Sequence, residues 1–335
     1  MSDPLAIGLV GCGRLAQAGY LPALAAARGV RLAAVADPDP ARRDAVAAGA
    51  RRGAAGTVPA VGGGGVPAFS TLEELLEGAR VDAVVLATPA PTHLADARLA
   101  AQAHVATLVE KPPAQDAGHA GALAELDPAP WIAFNRRFGA GQRAARAALA
   151  QRAAGDHGAG PGRHVELRVE LRYRRASWAA HTVGDEALLD LGPHLVDLAG
   201  WLADRQVTGV RAATLSHERA ELELELEQGS ATVRCAADQP HRELIEAHGS
   251  AGELLARHDE GGLAAGLLAR LTARGRPHPL VASLTAQLEA FARAVGGAPE
   301  PDLATAAEGH AVMAVLDAAR ACAAGGQPVA VAVAA

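Results

Sequence analysis

Cysteine, lysine and long apolar runs are all scarce in this chain. The three cysteines, Cys12, Cys235 and Cys322, are far apart and carry no C-x-x-C spacing. That excludes a cysteine-based zinc site and a disulfide framework and fits a reducing interior. Lysine has largely given way to arginine, as expected of GC-rich coding. The balance of 31 basic against 37 acidic residues leaves a formal charge of −6. With no basic run or patch, nucleic acid and anionic membranes are not expected partners. No apolar span approaches the roughly 20 residues that cross a bilayer. The opening MSDPLAIGLVG has no basic segment before its short apolar run, so it reads as a strand and not as a signal peptide. The expectation is a soluble, cytoplasmic protein.

What is present is half hydrophobic and 20% charged, in 335 residues, enough for about two domains. In the first part, apolar strand patterns alternate with helical ones. LAIGLVG, VRLAAVAD, VDAVVLAT, HVATLVEKP and WIAFNRRF read as strands; GRLAQAGYLPALAAAR, ARRDAVAAGA and HLADARLAAQA read as helices. Fully apolar strands between helices indicate a parallel sheet covered on both faces. VGGGGVPAF, residues 61–69, lacks the lysine of a phosphate-binding loop and reads as a surface loop. After a linker at AGDHGAGPG, residues 154–162, the period changes to two. Val165, Leu167, Val169, Leu171 and Tyr173 share one face, and Glu166, Arg168, Glu170 and Arg172 the other. AELELELEQ repeats the pattern, with a hairpin turn expected at Gly229 and Ser230. Helical spacing returns near the C-terminus. The fold class is α/β: a doubly wound parallel sheet of the Rossmann type over residues 1–137, then an α+β domain with a mainly antiparallel sheet over 138–335.

Between the first strand and first helix stands GLVGCGRLA, with Gly11, Gly13 and Ala16 in the G-x-G-x-x-G/A pattern and Arg14 and Leu15 inside it. Bare backbone there lets a pyrophosphate approach a helix N-terminus. Asp37 ends the second strand, 24 residues past Gly13, where a carboxylate accepts hydrogen bonds from an adenosine ribose. Its charge favours NAD over NADP. Arg42 and Arg43 follow closely and leave NADP open. Glu110, Lys111 and Pro112 end another apolar strand, and carboxyl ends of such strands border the cofactor crevice. Further on, LLDLGPHLVDL buries Asp190, His194 and Asp197 among leucines, which costs several kcal/mol unless the groups are paired or used, by the usual rough rule. Pro193 suggests that this helix starts only near Gly192, and Asp197 is expected on a different face from the other two.

Taken together, the fingerprint with ADPDP, then ATPAPTH, EKP, FNRRF and DLGPH resemble the Gfo/Idh/MocA oxidoreductases, in order and over nearly the whole chain. The resemblance implies an NAD(P)-binding Rossmann domain, an open-faced sheet with helices on one side, and a homo-oligomer, dimer or tetramer, often joined through that open face. It implies a catalytic Lys111, which polarises the reacting oxygen, and a catalytic Asp190 and His194. Histidine titrates near neutrality and serves as acid or base for a hydroxyl proton. Asp190 either holds the imidazole or contacts the substrate. Thr88, Pro89 and His93 match a loop bordering the cofactor, and Glu110 and Arg137 lie beside it; His93 alternatively packs locally. Trp178 and His181 precede the second motif in a segment that lines the substrate site in this family, although Trp178 also suits a core. Asp185 and Glu186 stand where the family has a glycine run, which bears on how that segment closes. The implied activity is hydride transfer between a nicotinamide cofactor and a secondary alcohol or ketone of a sugar, cyclitol or similar small polyhydroxy compound. Two alternatives stay open: a nucleotide-binding regulator without turnover, and an NAD-dependent glycosidase that oxidises its substrate transiently.

Overall fold

The computed structural model describes residues 3–53, 65–155, 164–175, 186–261 and 278–331. Trp178, His181 and Asp185, and most of the glycine run and of the linker, lie outside the described residues. Along the chain come β1 Leu5–Val10, a π-helical segment Ala16–Tyr20 leading into α1 Leu21–Ala26, β2 Val30–Ala36, α2 Pro40–Gly53 and β3 Ala68–Phe69. α3 Leu72–Gly78, β4 Ala83–Leu86, α4 Ala90–Gln102, β5 Ala106–Val109, α5 Ala117–Ala124 and β6 Trp131–Ile132 follow. Next are α6 Ala140–Gly155, β7 Val165–Arg174, α7 Ala187–Ala203, β8 Val207–Leu215, β9 Arg219–Leu226, β10 Gly229–Ala236, β11 Asp238–Gly249 and β12 Leu254–Gly261. The described chain closes with α8 Pro279–Val295, β13 Ala304–Thr305, α9 Ala306–Gly325 and β14 Val329–Ala330. No helix among the described residues is long and apolar enough to cross a membrane.

Two compact units emerge: Met1–Phe138 with Pro277–His310, and Gly139–Arg276 with Ala311–Ala335. Residues 277–310, which the pattern alone assigns to the second domain, pack with the first unit. The cause is visible in α8, where Leu284, Leu288 and Phe291 share one helical face and join Ile7, Tyr20 and Leu24 in a single core.

In the first unit the strand order is β13-β6-β5-β4-β1-β2-β3. Apart from β13 the strands are parallel, and the order reverses between β1 and β4, the switch point at which such sheets bind ligands. Fully buried Ile7, Leu9, Val84, Val85 and Leu108 explain why these strands lack alternation. FNRRF is not a strand. β6 stops at Ile132 because its partner β5 ends at Val109, and Asn135–Phe138 closes into a 3-10 turn.

In the second unit the order is β12-β11-β7-β10-β9-β8-β14, antiparallel except for β7 against β10. Leu167, Val169, Leu171, Leu222 and Leu224 are buried on one face. The opposite face carries cross-strand ion pairs, among them Arg234–Glu221 at 2.7 Å and Arg242–Asp259 at 2.9 Å. The β9–β10 hairpin turns at Glu227 and Gln228, two residues earlier than expected. Gly229 instead opens β10 with φ +134°, and a Cβ there would lie 2.0 Å from the Val165 carbonyl oxygen of β7. It is the close approach of β7 that requires this glycine.

α7 also differs from expectation, since it begins at Ala187 and runs through Pro193. The residue before proline is biased away from the helical region in part through its Cβ, which Gly192 lacks. With the helix continuous, Asp190, His194 and Asp197 are spaced four and three apart and share one face, so the expectation for Asp197 is corrected.

Candidate functional site

The first unit carries the nucleotide fingerprint at its switch point. Gly11 has φ +89°, and a Cβ on it would lie 2.5 Å from the Ala87 carbonyl oxygen, so the turn packs against the end of β4 without any side chain. A Cβ on Gly13 would meet no atom within 4 Å, which leaves the outer side of the turn open for a ligand. The buried Asp37 carboxylate accepts the N–H of Cys12 at 2.7 Å and that of Asp39 at 2.8 Å. Arg43 donates to the Asp37 carbonyl oxygen at 2.8 Å and to Ser70 Oγ at 3.3 Å. Burial, with Asp37 adding to it, pushes the Cys12 thiol up to about 12, so this cysteine stays protonated and inert. Open backbone beside a carboxylate fits the pyrophosphate and ribose of a dinucleotide. Arg14 and Leu15 lie half-buried in the same turn.

At the ends of β4 and β5 two loops are tied together by His93. The ring is fully buried, with Nε2 2.8 Å from the Thr88 carbonyl oxygen and Nδ1 3.1 and 3.2 Å from those of Pro112 and Pro113. Burial holds this imidazole below its ordinary range, against the upward pull of the carbonyl acceptors. His93 is therefore a clip between loops, and Thr88 Oγ1 joins Thr92 and Asp96 in a hydroxyl–carboxylate chain along α4. Pro89 is the residue from which α4 starts.

Lys111 follows β5 through a cis peptide bond to Pro112. It is the one lysine of the chain; the other basic side chains counted with it are 30 arginines. Glu110 is buried, accepts the Tyr20 hydroxyl at 2.5 Å and takes the Lys111 N–H at 3.0 Å. Arg137 is buried and pairs with Glu308 at 2.7 Å. Burial alone would push Glu308 up, but Arg137 and the N–H and hydroxyl of Thr305 outweigh it and hold the carboxylate below its usual range. Arg137 thus anchors the start of α9. Such a position suits a structural part as well as the cofactor contact expected of it.

In the second unit, α7 presents Asp190 and His194 on one face, with His194 nearly buried. Tyr173 of β7 donates its hydroxyl to Asp190 Oδ2, and Arg175 Nη2 lies 3.8 Å from the same oxygen. Burial and the Asp190 charge push the Tyr173 phenol well above its ordinary value, so its proton stays available for that bond. Glu186 precedes α7 and pairs with Arg320 at 3.0 Å. Its carboxylate is a tie to α9.

Neither Tyr20 nor Tyr173 is prominent in the sequence pattern, yet each serves an acid of a recognised motif. They are the two tyrosines of the chain, and this scarcity is the signal that would have found them.

Residues 5–127 match the family described as an oxidoreductase family with NAD-binding Rossmann fold, Gfo/Idh/MocA. The chain is 30% identical over 214 residues to the rhizopine catabolism protein MocA of Rhizobium meliloti, covering 62% of this chain and 60% of that protein. It is 29% identical over 211 residues to inositol 2-dehydrogenase of Acidothermus cellulolyticus, covering 62% and 55%. Both matches span less than two thirds of the relatives' own length. Among solved structures, scyllo-inositol dehydrogenase from Lactobacillus casei with bound NAD(H) and scyllo-inositol shares the fold, with a TM-score of 0.74, 18% identity and coverage of 98% and 99%. Over residues 5–127 the chain is thus similar to the Gfo/Idh/MocA oxidoreductase family in its NAD-binding Rossmann domain.

Proposed function

We propose that this protein is an NAD-dependent dehydrogenase or reductase that interconverts a secondary alcohol and a ketone on a cyclitol, sugar or related polyhydroxy compound. The observation that carries this reading is the single lysine, at the carboxyl end of β5 in a nucleotide-binding sheet, in a chain that also bears Asp190 and His194 on one helical face. The dehydrogenase names of an inositol-specific relative and a fold neighbour support the substrate class.

When bound, the nicotinamide supplies a hydride acceptor. The Gly11–Gly13 turn and the Asp37 carboxylate would hold the dinucleotide by its pyrophosphate and ribose. His194 takes the hydroxyl proton during oxidation and returns it during reduction. The Lys111 ammonium orients the reacting oxygen and stabilises the charge that develops on it. Asp190, fastened by Tyr173 and Arg175, keeps a negative charge on the His194 face of α7, which favours the imidazolium formed after proton transfer.

The test is reduction of NAD⁺ and NADP⁺, followed by absorbance, across cyclitols, aldoses and their derivatives, with His194→Ala beside the wild type. Turnover falling by about 10²-fold or more in the variant, with nucleotide affinity kept, is expected. An undiminished rate would remove His194 from the role of base. Nucleotide binding without redox chemistry in either direction would favour a regulator, and product release without net NADH would favour a glycosidase.

A further inference from the structure

Tyr20 sits where an ordinary helix would not put it. The segment Ala16–Tyr20 is π-helical, and the N–H of Leu21 reaches back five residues to the Ala16 carbonyl oxygen. One extra residue in a turn rotates the downstream part of the helix by about 100° relative to an uninterrupted α-helix. The bulge packs tightly on α8, since a Cβ on Gly19 would lie 2.8 Å from Leu284 Cδ1. Its result is a fully buried tyrosine whose hydroxyl donates to Glu110 Oε1 at 2.5 Å, across 90 residues of sequence. The other oxygen of Glu110 receives the Lys111 N–H at 3.0 Å. A device that spends a helix distortion and a rare aromatic residue on the neighbour of the one lysine has more to do than fill space.

The geometry points to Tyr20 as a positioning residue for Lys111, acting through Glu110: its hydroxyl bonds one carboxylate oxygen while the other takes the Lys111 N–H, which fixes the carboxylate beside the lysine at the end of β5. This rests on the dehydrogenase reading for its catalytic consequence, although not for its physical content. Glu110 is faced by Tyr20 from the π-helical segment and by Lys111 from its own loop. From α4, His93 clips the Pro112 and Pro113 carbonyls, and Asp96 faces His93. Burial pushes the Glu110 carboxyl up, while the Tyr20 hydroxyl and the Lys111 N–H and charge oppose it. The Tyr20 phenol is itself held far above its ordinary range by burial and by Glu110, so the shared proton stays on the tyrosine. Without that hydroxyl, burial is opposed less, the carboxyl takes its proton at a higher pH, and the lysine loses its negative neighbour over a wider range.

The lone lysine makes this directly measurable. Protein grown with [¹⁵N]lysine gives one backbone amide signal, that of Lys111, and its N–H is the one donated to Glu110. Its proton shift over a pH titration reports the ionisation of Glu110. In Tyr20→Phe the midpoint should rise by about one pH unit or more. In Glu110→Gln, and in the double variant, the titration should vanish. An unchanged midpoint in folded Tyr20→Phe would overturn the inference. Should that variant fold poorly, 3-fluorotyrosine incorporated in a Tyr173→Phe background keeps the shape and strengthens the donor. The midpoint should then fall, and an immobile midpoint is equally fatal. In parallel, Tyr20→Phe should lower kcat about 10-fold while leaving the NADH affinity within a few-fold. A wild type with no turnover on any polyol in either direction would defeat the dehydrogenase reading alone; the amide titration would still decide the part of Tyr20.

Discussion

The carboxylate of Asp37 accepts the backbone N–H of Cys12 in a 2.7 Å hydrogen bond, so the acid that ends β2 is fastened to the middle of the glycine turn that succeeds β1. One side chain therefore shapes the turn and, on the proposed function, would offer oxygen atoms to a ribose. Asp37→Ala should weaken NADH roughly 10- to 100-fold, as loss of hydrogen bonds to a charged acceptor does. It should also cost stability on the order of 1–3 kcal/mol, because the Cys12 N–H is left buried without its acceptor. Arg43, held by the Asp37 carbonyl oxygen and Ser70, would then face a 2′-phosphate without an opposing carboxylate. The ratio of NADPH to NADH affinity should rise. Fluorescence titrations with both nucleotides, beside thermal melts, check the three effects; a variant that binds NADH as tightly as the wild type would deny Asp37 its ribose contact.

His93 supplies a pH dependence whose sign is set by burial. Its folded-state value is depressed, so its contribution to stability is present above the unfolded value of about 6.5 and is lost as pH falls below it. Urea unfolding at about pH 7.5 and about pH 5.5 should show a weaker fold at the lower value. His93→Gln should flatten that part of the difference and cost roughly 1–3 kcal/mol at the higher pH, since the single N–H of the neutral imidazole and the ring's fit among the Thr88, Pro112 and Pro113 carbonyls are lost. Equal pH dependence in variant and wild type would mean that His93 titrates in the fold as it does in the unfolded chain.

Much of this arrangement is legible in the sequence, and the legible part is local. Gly11, Gly13 and Asp37 announce themselves because a turn and a strand end need particular residues at particular spacings. The Asp190–His194 pair is legible as polar groups where the apolar pattern predicts burial, and Lys111 by its place at the carboxyl end of an apolar strand, in an EKP motif that resembles the family's. The start of α7 is misjudged because the rule for residues before proline depends in part on a Cβ that Gly192 lacks. The turn at Gly229 is misjudged because the glycine answers to β7, which lies far away in sequence. Tyr20 and Glu110 are 90 residues apart, and no periodicity announces a π-helical insertion. Arg137 is expected at the end of a strand beside the cofactor, yet a capping residue of a helix 171 positions away holds it. In each case the missing information is a partner brought close by tertiary packing.

The substitution that probes the proposed chemistry most directly is Lys111→Arg. Everywhere else this chain has settled on arginine for its basic side chains, so arginine is evidently a serviceable cation in its folded surface and its ion pairs. At position 111 the demands differ. A guanidinium is planar, bulkier and more weakly hydrated, and it spreads its charge over a fork, whereas an ammonium is a compact point charge with three rotatable donors. Stabilising one developing alkoxide oxygen calls for the second kind of cation. Lys111→Arg and Lys111→Met should therefore both lower kcat by about 10²- to 10³-fold, and by similar amounts, although arginine keeps the charge. Affinity for NADH, which the proposed function assigns to the glycine turn and Asp37, should stay within a few-fold in both. Steady-state rates with the best polyol, beside nucleotide titrations, separate these outcomes. If the arginine variant turned over near the wild-type rate while the methionine variant did not, charge alone would suffice at this position, and compact oxygen recognition by Lys111 would have to be abandoned.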